Sequence, residues 1–235
     1  MREEAAADLA SLPDAYRRWR ASRLGQITDR LEEELILELV GPPAGQRILD
    51  AGCGDAALAV ALAQRGALVT GVDVDPSMLA AGRARASASG VTPDLMQGDM
   101  RALPFADGSF DIVLAVTVLC FVDDAERAVR EMARVLRPEG RLVICELGRW
   151  NLWAAKRRMS GWLGSRMWRS ATFRTVRALK DLVTDAGLAV TAVRGAVYYP
   201  PFAPLATLLA RCDAWIGKRT TAGAGFLVVV GEKRA

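Results

Sequence analysis

Apolar positions near the start of the chain recur at helical spacing. Leu31, Leu35 and Leu39 form one line with Ile36 and Val40 beside it, while Glu32, Glu33, Glu34 and Glu38 take the other face. The first 40 residues therefore read as helix, stopped at "GPPAG" (41–45), where proline cannot continue the hydrogen-bond ladder. The pattern then changes to short β-branched runs at 47–51, 68–73, 94–97, 111–116 and 141–146. Alanine-rich or amphipathic stretches at 56–65, 77–88 and 124–136 lie between them and predict helices. Thr175 can cap a further helix that ends at Gly187, and two strand-like runs, 188–199 and 226–233, close the chain. Strands that are almost wholly apolar and alternate with helices predict an α/β fold, a parallel sheet covered on both faces. Such a doubly wound sheet places its ligand at the carboxyl ends of the central strands.

At 235 residues the chain suits one domain, and 51% hydrophobic with 25% charged residues suits a globular one. The opening "MREEAAADLA" lacks the apolar core of a secretory signal, and no apolar run nears the roughly 18 residues of a membrane span. Cys53, Cys120, Cys145 and Cys212 lie far apart without a C-x-x-C pair. They read as reduced thiols of a cytoplasmic protein without a structural metal. Histidine is absent, which removes the commonest general base and the commonest metal ligand together.

The stretch "ILDAGCGDA" (48–56) ends the first strand. Counted from Gly52, with Ala57 last, it fits the dinucleotide pattern G-x-G-x-x-A; counted from Asp50, it fits D-x-G-x-G. A dinucleotide brings a pyrophosphate to such a turn, and the Asp50 carboxylate would oppose it. A ligand with a cationic end would welcome that acid. Asp73, about 20 residues on at the end of the second strand, can accept from ribose hydroxyls, which serves NAD and S-adenosylmethionine equally. Asp99, after the third strand, can accept from an adenine amino group. Three carboxylates at successive strand ends, with no basic residue beside them, favour the sulfonium ligand. The alternative is that Gly52 and Gly54 only make a tight turn.

Five stretches in order, "ILDAGCGDA", "VTGVDVDPSML", "QGDMRALPF", "FDIVLAV" and "VLRPEGRLVI", resemble the successive motifs of class I S-adenosylmethionine-dependent methyltransferases, most closely the small bacterial ubiquinone/menaquinone-biosynthesis type. The resemblance covers 45–146 and, less closely, 172–190. It implies a Rossmann-like seven-stranded sheet, mostly parallel with the last strand antiparallel. It also implies that Asp50, Ala51 and Gly52 line the methionine portion of the cofactor beside the Gly54 turn, and that Asp73 holds the ribose. Val74 and Met78 would lie near the adenine, Asp99 and Met100 at its edge, and Ala115 would offer its carbonyl to the ammonium. Tyr16 in "DAYRRW" resembles the N-terminal tyrosine that closes over the cofactor. Two positions depart from the pattern: Ala56 replaces a third glycine, and Cys120 stands where many relatives have a histidine near the acceptor.

Methyl transfer from a sulfonium is an in-line displacement, so a base is needed only where the acceptor must lose a proton early. With no histidine, the candidates are Glu146 at the end of the fifth strand and Tyr198 or Tyr199 near the end of the sixth. A structural acid and two pocket-lining rings are the alternatives, since an unperturbed phenol titrates near 10.

Composition shifts most sharply after the fifth strand. Residues 147–174 hold Trp150, Trp153, Trp162 and Trp168, four of the six tryptophans. From Leu147 to Lys180 there are nine Lys or Arg and no acid. Set against a net charge of +4, these nine leave the rest of the chain at −5. The resemblance puts an acceptor lid here, with residues 1–43 as an N-terminal helical cap on a single domain. The segment reads as a packed basic helix pair whose arginine stems cover apolar surface, as a contact with an anionic membrane surface, or as an RNA contact. Against RNA, "AVTVLC" lacks the Asn/Asp-Pro-Pro-aromatic run of base-amino methyltransferases. The expected function is methyl transfer to a small, apolar or lipid-like acceptor. An RNA methyltransferase, an NAD(P) oxidoreductase and an idle S-adenosylmethionine-binding module remain open.

Overall fold

A computed structural model describes residues 12–235, with side chains described from Arg17 onward. Tyr16 therefore lies outside the residues whose side chains are described. The N-terminal helical stretch is two helices, α1 (Leu12–Ala21) and α2 (Arg23–Val40), broken at Ser22. The Ser22 hydroxyl oxygen caps α2 by accepting from the Gly25 N–H at 3.0 Å. There follow β1 (Arg47–Ala51), α3 (Ala57–Ala63), β2 (Leu68–Asp73), α4 (Pro76–Ala88), β3 (Asp94–Gln97) and β4 (Phe110–Val116). After a single 3₁₀ turn at Leu119–Phe121 come α5 (Ala125–Val135), β5 (Leu136–Leu147), α6 (Leu152–Trp162) and α7 (Arg166–Ser170). The chain closes with α8 (Val176–Asp185), β6 (Leu188–Ala196), α9 (Ala203–Gly217) and β7 (Phe226–Lys233).

The strands form one seven-stranded sheet in the order β3-β2-β1-β4-β5-β7-β6. β7 runs antiparallel to both neighbours and the remaining pairs are parallel. This is the expected Rossmann-like architecture. Alternation along β4 shows how the sheet is held. Ile112 and Leu114 pack on one face with Leu31, Ile36 and Leu62, while Val113 and Ala115 pack on the other with Val129, Met132 and Leu179. Fully burying each of the larger side chains contributes about 1.5–3 kcal/mol.

Two expected strand boundaries move by three residues or more. β5 begins at Leu136, not 141: Leu136 pairs with Phe110, the register then jumps to Ile112 opposite Arg141, and the residues between bulge as a turn with Glu139 at φ 61°. β6 stops at Ala196, not 199, because the Asp213 carboxylate takes the Val197 and Tyr198 N–H groups at 2.9 and 2.8 Å. That carboxylate belongs to α9, a helix the strand-like reading of 188–199 and 226–233 left out. The acidic face of α2 is also divided: Glu34 and Glu38 are exposed, whereas Glu32 turns inward to a half-buried position.

Candidate active site

The strand order reverses between β1 and β4, the switch point at whose carboxyl ends doubly wound sheets hold their ligands. Gly52 leaves β1 at φ +80°, and its N–H and that of Cys53 both donate to the Val72 carbonyl, at 2.7 and 3.0 Å. A Cβ at Gly52 would lie 2.4 Å from Val118 Cγ2 and 3.0 Å from Met100 Cε, so only glycine fits where the two loops meet. Gly54, at φ +53°, donates to Asp73 Oδ2 at 2.8 Å, and a Cβ there would stand 3.1 Å from Met78 Cε. Ala56 takes a left-handed φ of 56° just before α3. Its methyl group is accommodated by Gly82 of α4, where a Cβ would come within 2.9 Å of it. The replaced glycine is thus balanced by one on the neighbouring helix.

The strand-end acids have different surroundings. Asp50 is buried, and desolvation, with Asp73 and Asp55 adding to it, pushes its carboxyl up to about 7. Asp73 is half-buried and raised by burial, while the N–H groups of Asp75 and Gly54 oppose that shift by bonding to its two oxygens. Asp99 corrects the expectation that no basic residue stands beside these acids. The Arg101 guanidinium grips both its oxygens at 2.7–3.0 Å and holds it below the usual carboxylate range. Asp55, in the glycine turn, is held by Arg20 at 3.0 Å and Arg85 at 2.5 Å, and Arg20 also reaches Asp29 at 3.0 Å. This network ties α1, α2 and α4 to the turn.

The structure therefore brings Gly52, Gly54, Asp73, Met78 and Met100 together around the glycine turn. Asp50 and Ala51 lie beside it on β1, and Ala115 lies on the adjoining β4. Val74, next to Asp73, is exposed. Val118, which sequence reasoning missed, packs against Gly52 from the β4 side. Thr117, at φ 52°, turns the chain there while its N–H donates to the Cys145 carbonyl at 2.7 Å.

Glu146 is fully buried at the end of β5. Its Oε1 accepts from the Cys120 N–H at 3.3 Å, and Oε2 has no partner. Burial pushes it up to about 7, against the pull of nearby Arg174, whose guanidinium also donates to the Leu119 carbonyl at 2.8 Å. The Cys120 thiol is pushed far above its ordinary range by burial and by Glu146, which leaves it no thiolate character. The neighbouring Cys145 thiol is raised by burial and then by Glu32, Glu146 and Asp50, so three acids surround it. Desolvation and Asp29 lift Glu32 to about 8, with Arg157 opposing. Its inward turn had a signal: Thr28, Glu32 and Ile36 stand at i, i+4 and i+8, and the outer two are buried.

Tyr198 is the other catalytic candidate. Its hydroxyl donates to the Thr220 carbonyl, and burial together with Asp213 raises it to about 12. The Tyr199 hydroxyl is shared with Thr28 Oγ1 at 2.9 Å, and its carbonyl accepts from Trp153 Nε1 at 2.8 Å.

Over this end of the sheet lie α6 and α7. Asn151 caps α6 by accepting from the Ala154 N–H at 2.8 Å and donates to the Gly148 and Ala224 carbonyls. The four tryptophans divide: Trp153 is buried and Trp168 stacks on Phe173, while Trp150 and Trp162 are 71% and 86% exposed. Among the described residues no helix is long and apolar enough to cross a membrane.

The fold is Rossmann-like, with a glycine turn and strand-end acids gathered at the ends of β1 and β2. Residues 49–144 match the family profile described as a methyltransferase domain. A demethylmenaquinone methyltransferase of Tropheryma whipplei (strain Twist) is 42% identical over 110 residues, which are 46% of this chain and 45% of that protein. The chain spans about half the length of such relatives. A solved S-adenosylmethionine-dependent methyltransferase of Thermotoga maritima superposes with a TM-score of 0.78 at 25% identity, covering 96% of this chain and 98% of its own. Magnesium protoporphyrin IX methyltransferase of Synechocystis PCC 6803, solved with bound S-adenosylhomocysteine, shares the fold at a TM-score of 0.68 and 18% identity, with 94% and 93% covered.

Proposed function

We propose that this protein transfers a methyl group from S-adenosylmethionine to a small, apolar or lipid-like acceptor by in-line displacement. The observation that carries the reading is the buried Asp50 beside a glycine turn too tight for any Cβ. A buried acid lifted to about 7 wants a cation, and a pyrophosphate would raise it further. S-adenosylmethionine supplies an electrophilic methyl group on a sulfonium, and its ammonium suits that acid. Asp50, Ala51 and Gly52 hold the methionine portion and Asp73 the ribose. Val74, Met78 and Met100 flank the adenine, Asp99 accepts at its edge while still gripped by Arg101, and the Ala115 carbonyl faces the ammonium. Glu146, with its free Oε2, takes a proton from the acceptor where one must leave. The quinone-type name of the Tropheryma relative supports an apolar acceptor. The exposed Trp150 and Trp162 on a basic segment support peripheral contact with an anionic membrane surface.

Isothermal titration tests the reading. S-adenosylhomocysteine is expected to bind and NADH not to bind. Asp73→Ala is expected to weaken the former by about 1–3 kcal/mol, the effect of leaving buried hydroxyls unpaired. Tight NADH binding with no response to S-adenosylhomocysteine would overturn it.

A further inference from the structure

Between α6 and α7 lies an open cleft of about 570 Å³, within the span of small-molecule sites. Its walls include Arg149, Arg158 and Arg169 on one hand and Trp162, Trp168 and Phe173 on the other. Gly161 sets its shape: a Cβ there would fall 2.8–2.9 Å from the backbone of Trp168 and Arg169, so α7 packs directly on α6. No acidic side chain lies between Leu147 and Lys180, and among the described residues none of the three arginines is ion-paired. Arg149 and Arg158 are instead steadied by aromatic faces, the first 5.2 Å from Trp150 and the second 5.1 Å from Phe173. Arg158 also donates to the Arg149 carbonyl at 2.9 Å.

We infer that this cleft binds one amphipathic anion, a phosphate or carboxylate group with an apolar body. Guanidinium groups meet phosphate and carboxylate oxygens in bidentate fashion, and the tryptophan and phenylalanine faces bury the apolar part. The lining of the cleft is linked to the candidate active site, because the Thr172 N–H donates to the Cys120 carbonyl at 2.8 Å and the Cys120 N–H in turn donates to Glu146 Oε1 at 3.3 Å. The cleft is thus the anionic-end subsite of the methyl acceptor, an assignment that rests on the methyl-transfer reading.

The test titrates the full chain with octyl phosphate below its micelle concentration, read by tryptophan fluorescence. Octanol and octyltrimethylammonium serve as controls, and S-adenosylhomocysteine binding is measured in parallel. Saturable binding of octyl phosphate alone is expected, weakened about tenfold or more in the R149Q/R158Q/R169Q variant with S-adenosylhomocysteine affinity unchanged. Arg158→Gln alone is expected to give a smaller loss and Arg158→Lys a partial recovery. Arginine-dependent binding to phosphatidylglycerol vesicles as well would mark a lipid headgroup as the source, and binding of the monomer only would mark a soluble anion. The inference falls if octyltrimethylammonium binds equally, if the triple variant keeps its affinity, if vesicles bind without the monomer, or if a short RNA displaces the phosphate at lower concentration. Loss of S-adenosylhomocysteine binding by the unaltered chain would overturn the methyl-transfer reading and leave the octyl phosphate result standing.

Discussion

Asp50 and Glu146 are acids in a protein interior, each lifted by burial to about 7, from model-peptide values near 3.9 and 4.3. Between those limits the folded state holds protons that the unfolded chain has released, so stability falls as pH rises. Asp99, Asp111 and Glu131 are held below their ordinary values and complete their ionisation beneath this window. The ligand-free protein is therefore expected to show a urea midpoint that declines from pH 5 to pH 8. Asp50→Asn and Glu146→Gln should each flatten the decline. Only Asp50→Asn should weaken S-adenosylhomocysteine binding, since Glu146 serves the acceptor side. An unchanged slope in both variants would refute the assignment. At this scale spacing alone led to Asp50, Asp73 and Glu146. It missed the basic partner of Asp99, because a turn folds Arg101 back onto a residue only two positions away. It could not show the partner of the Tyr198 hydroxyl, which lies 22 residues further on.

Helix α4 packs on the glycine turn through the Ala56–Gly82 contact, and the two positions should be energetically coupled. Gly82→Ala gains up to about 1 kcal/mol of helix propensity but forces a Cβ to within 2.9 Å of the Ala56 methyl group. Overpacking of this kind costs about 1–3 kcal/mol, so net destabilisation is expected. In an Ala56→Gly background the clash with the methyl group disappears, and Gly82→Ala should become neutral or stabilising. Thermal unfolding of the four proteins measures the coupling, and strictly additive effects would show that the contact does not matter. Helix α9 was the element the pattern hid. Its outward face carries Leu205, Leu208 and Trp215, exposed where an ordinary surface helix is polar, while its one acid, Asp213, points inward. An inverted amphipathic pattern gives no conventional signal.

For the whole molecule, two surfaces combine exposed apolar side chains with basic ones, on α6 and on α9. Each Lys or Arg near an anionic membrane contributes about 1 kcal/mol, screened over a Debye length of roughly 8 Å at physiological salt. Flotation with anionic liposomes is expected at low salt, reduced at high salt and nearly absent with neutral lipids. Trp162→Ala and Trp215→Ala should diminish the part that salt does not screen. Trp153→Ala should leave flotation intact and lower stability by about 3–5 kcal/mol, because Trp153 is only 5% exposed. Failure to float on anionic liposomes at low salt would mark the segment as a packed lid alone.

What the amino-acid order determined by itself was local and periodic. The alternation of apolar runs with helices fixes a doubly wound sheet, and the D-x-G-x-G spacing puts an acid and two glycines at the end of its first strand. Such features need only neighbouring residues, because helix and strand periods and turn geometry act over a few positions. Tertiary structure decided the rest: that β6 ends where Asp213 of α9 captures its N–H groups, that Gly82 makes room for Ala56, that Trp153 is inside and Trp162 outside, and that three arginines gather around a cleft. Each of these depends on which distant side chain arrives at a given place, and burial, hydrogen bonding and charge take their magnitude from that arrival.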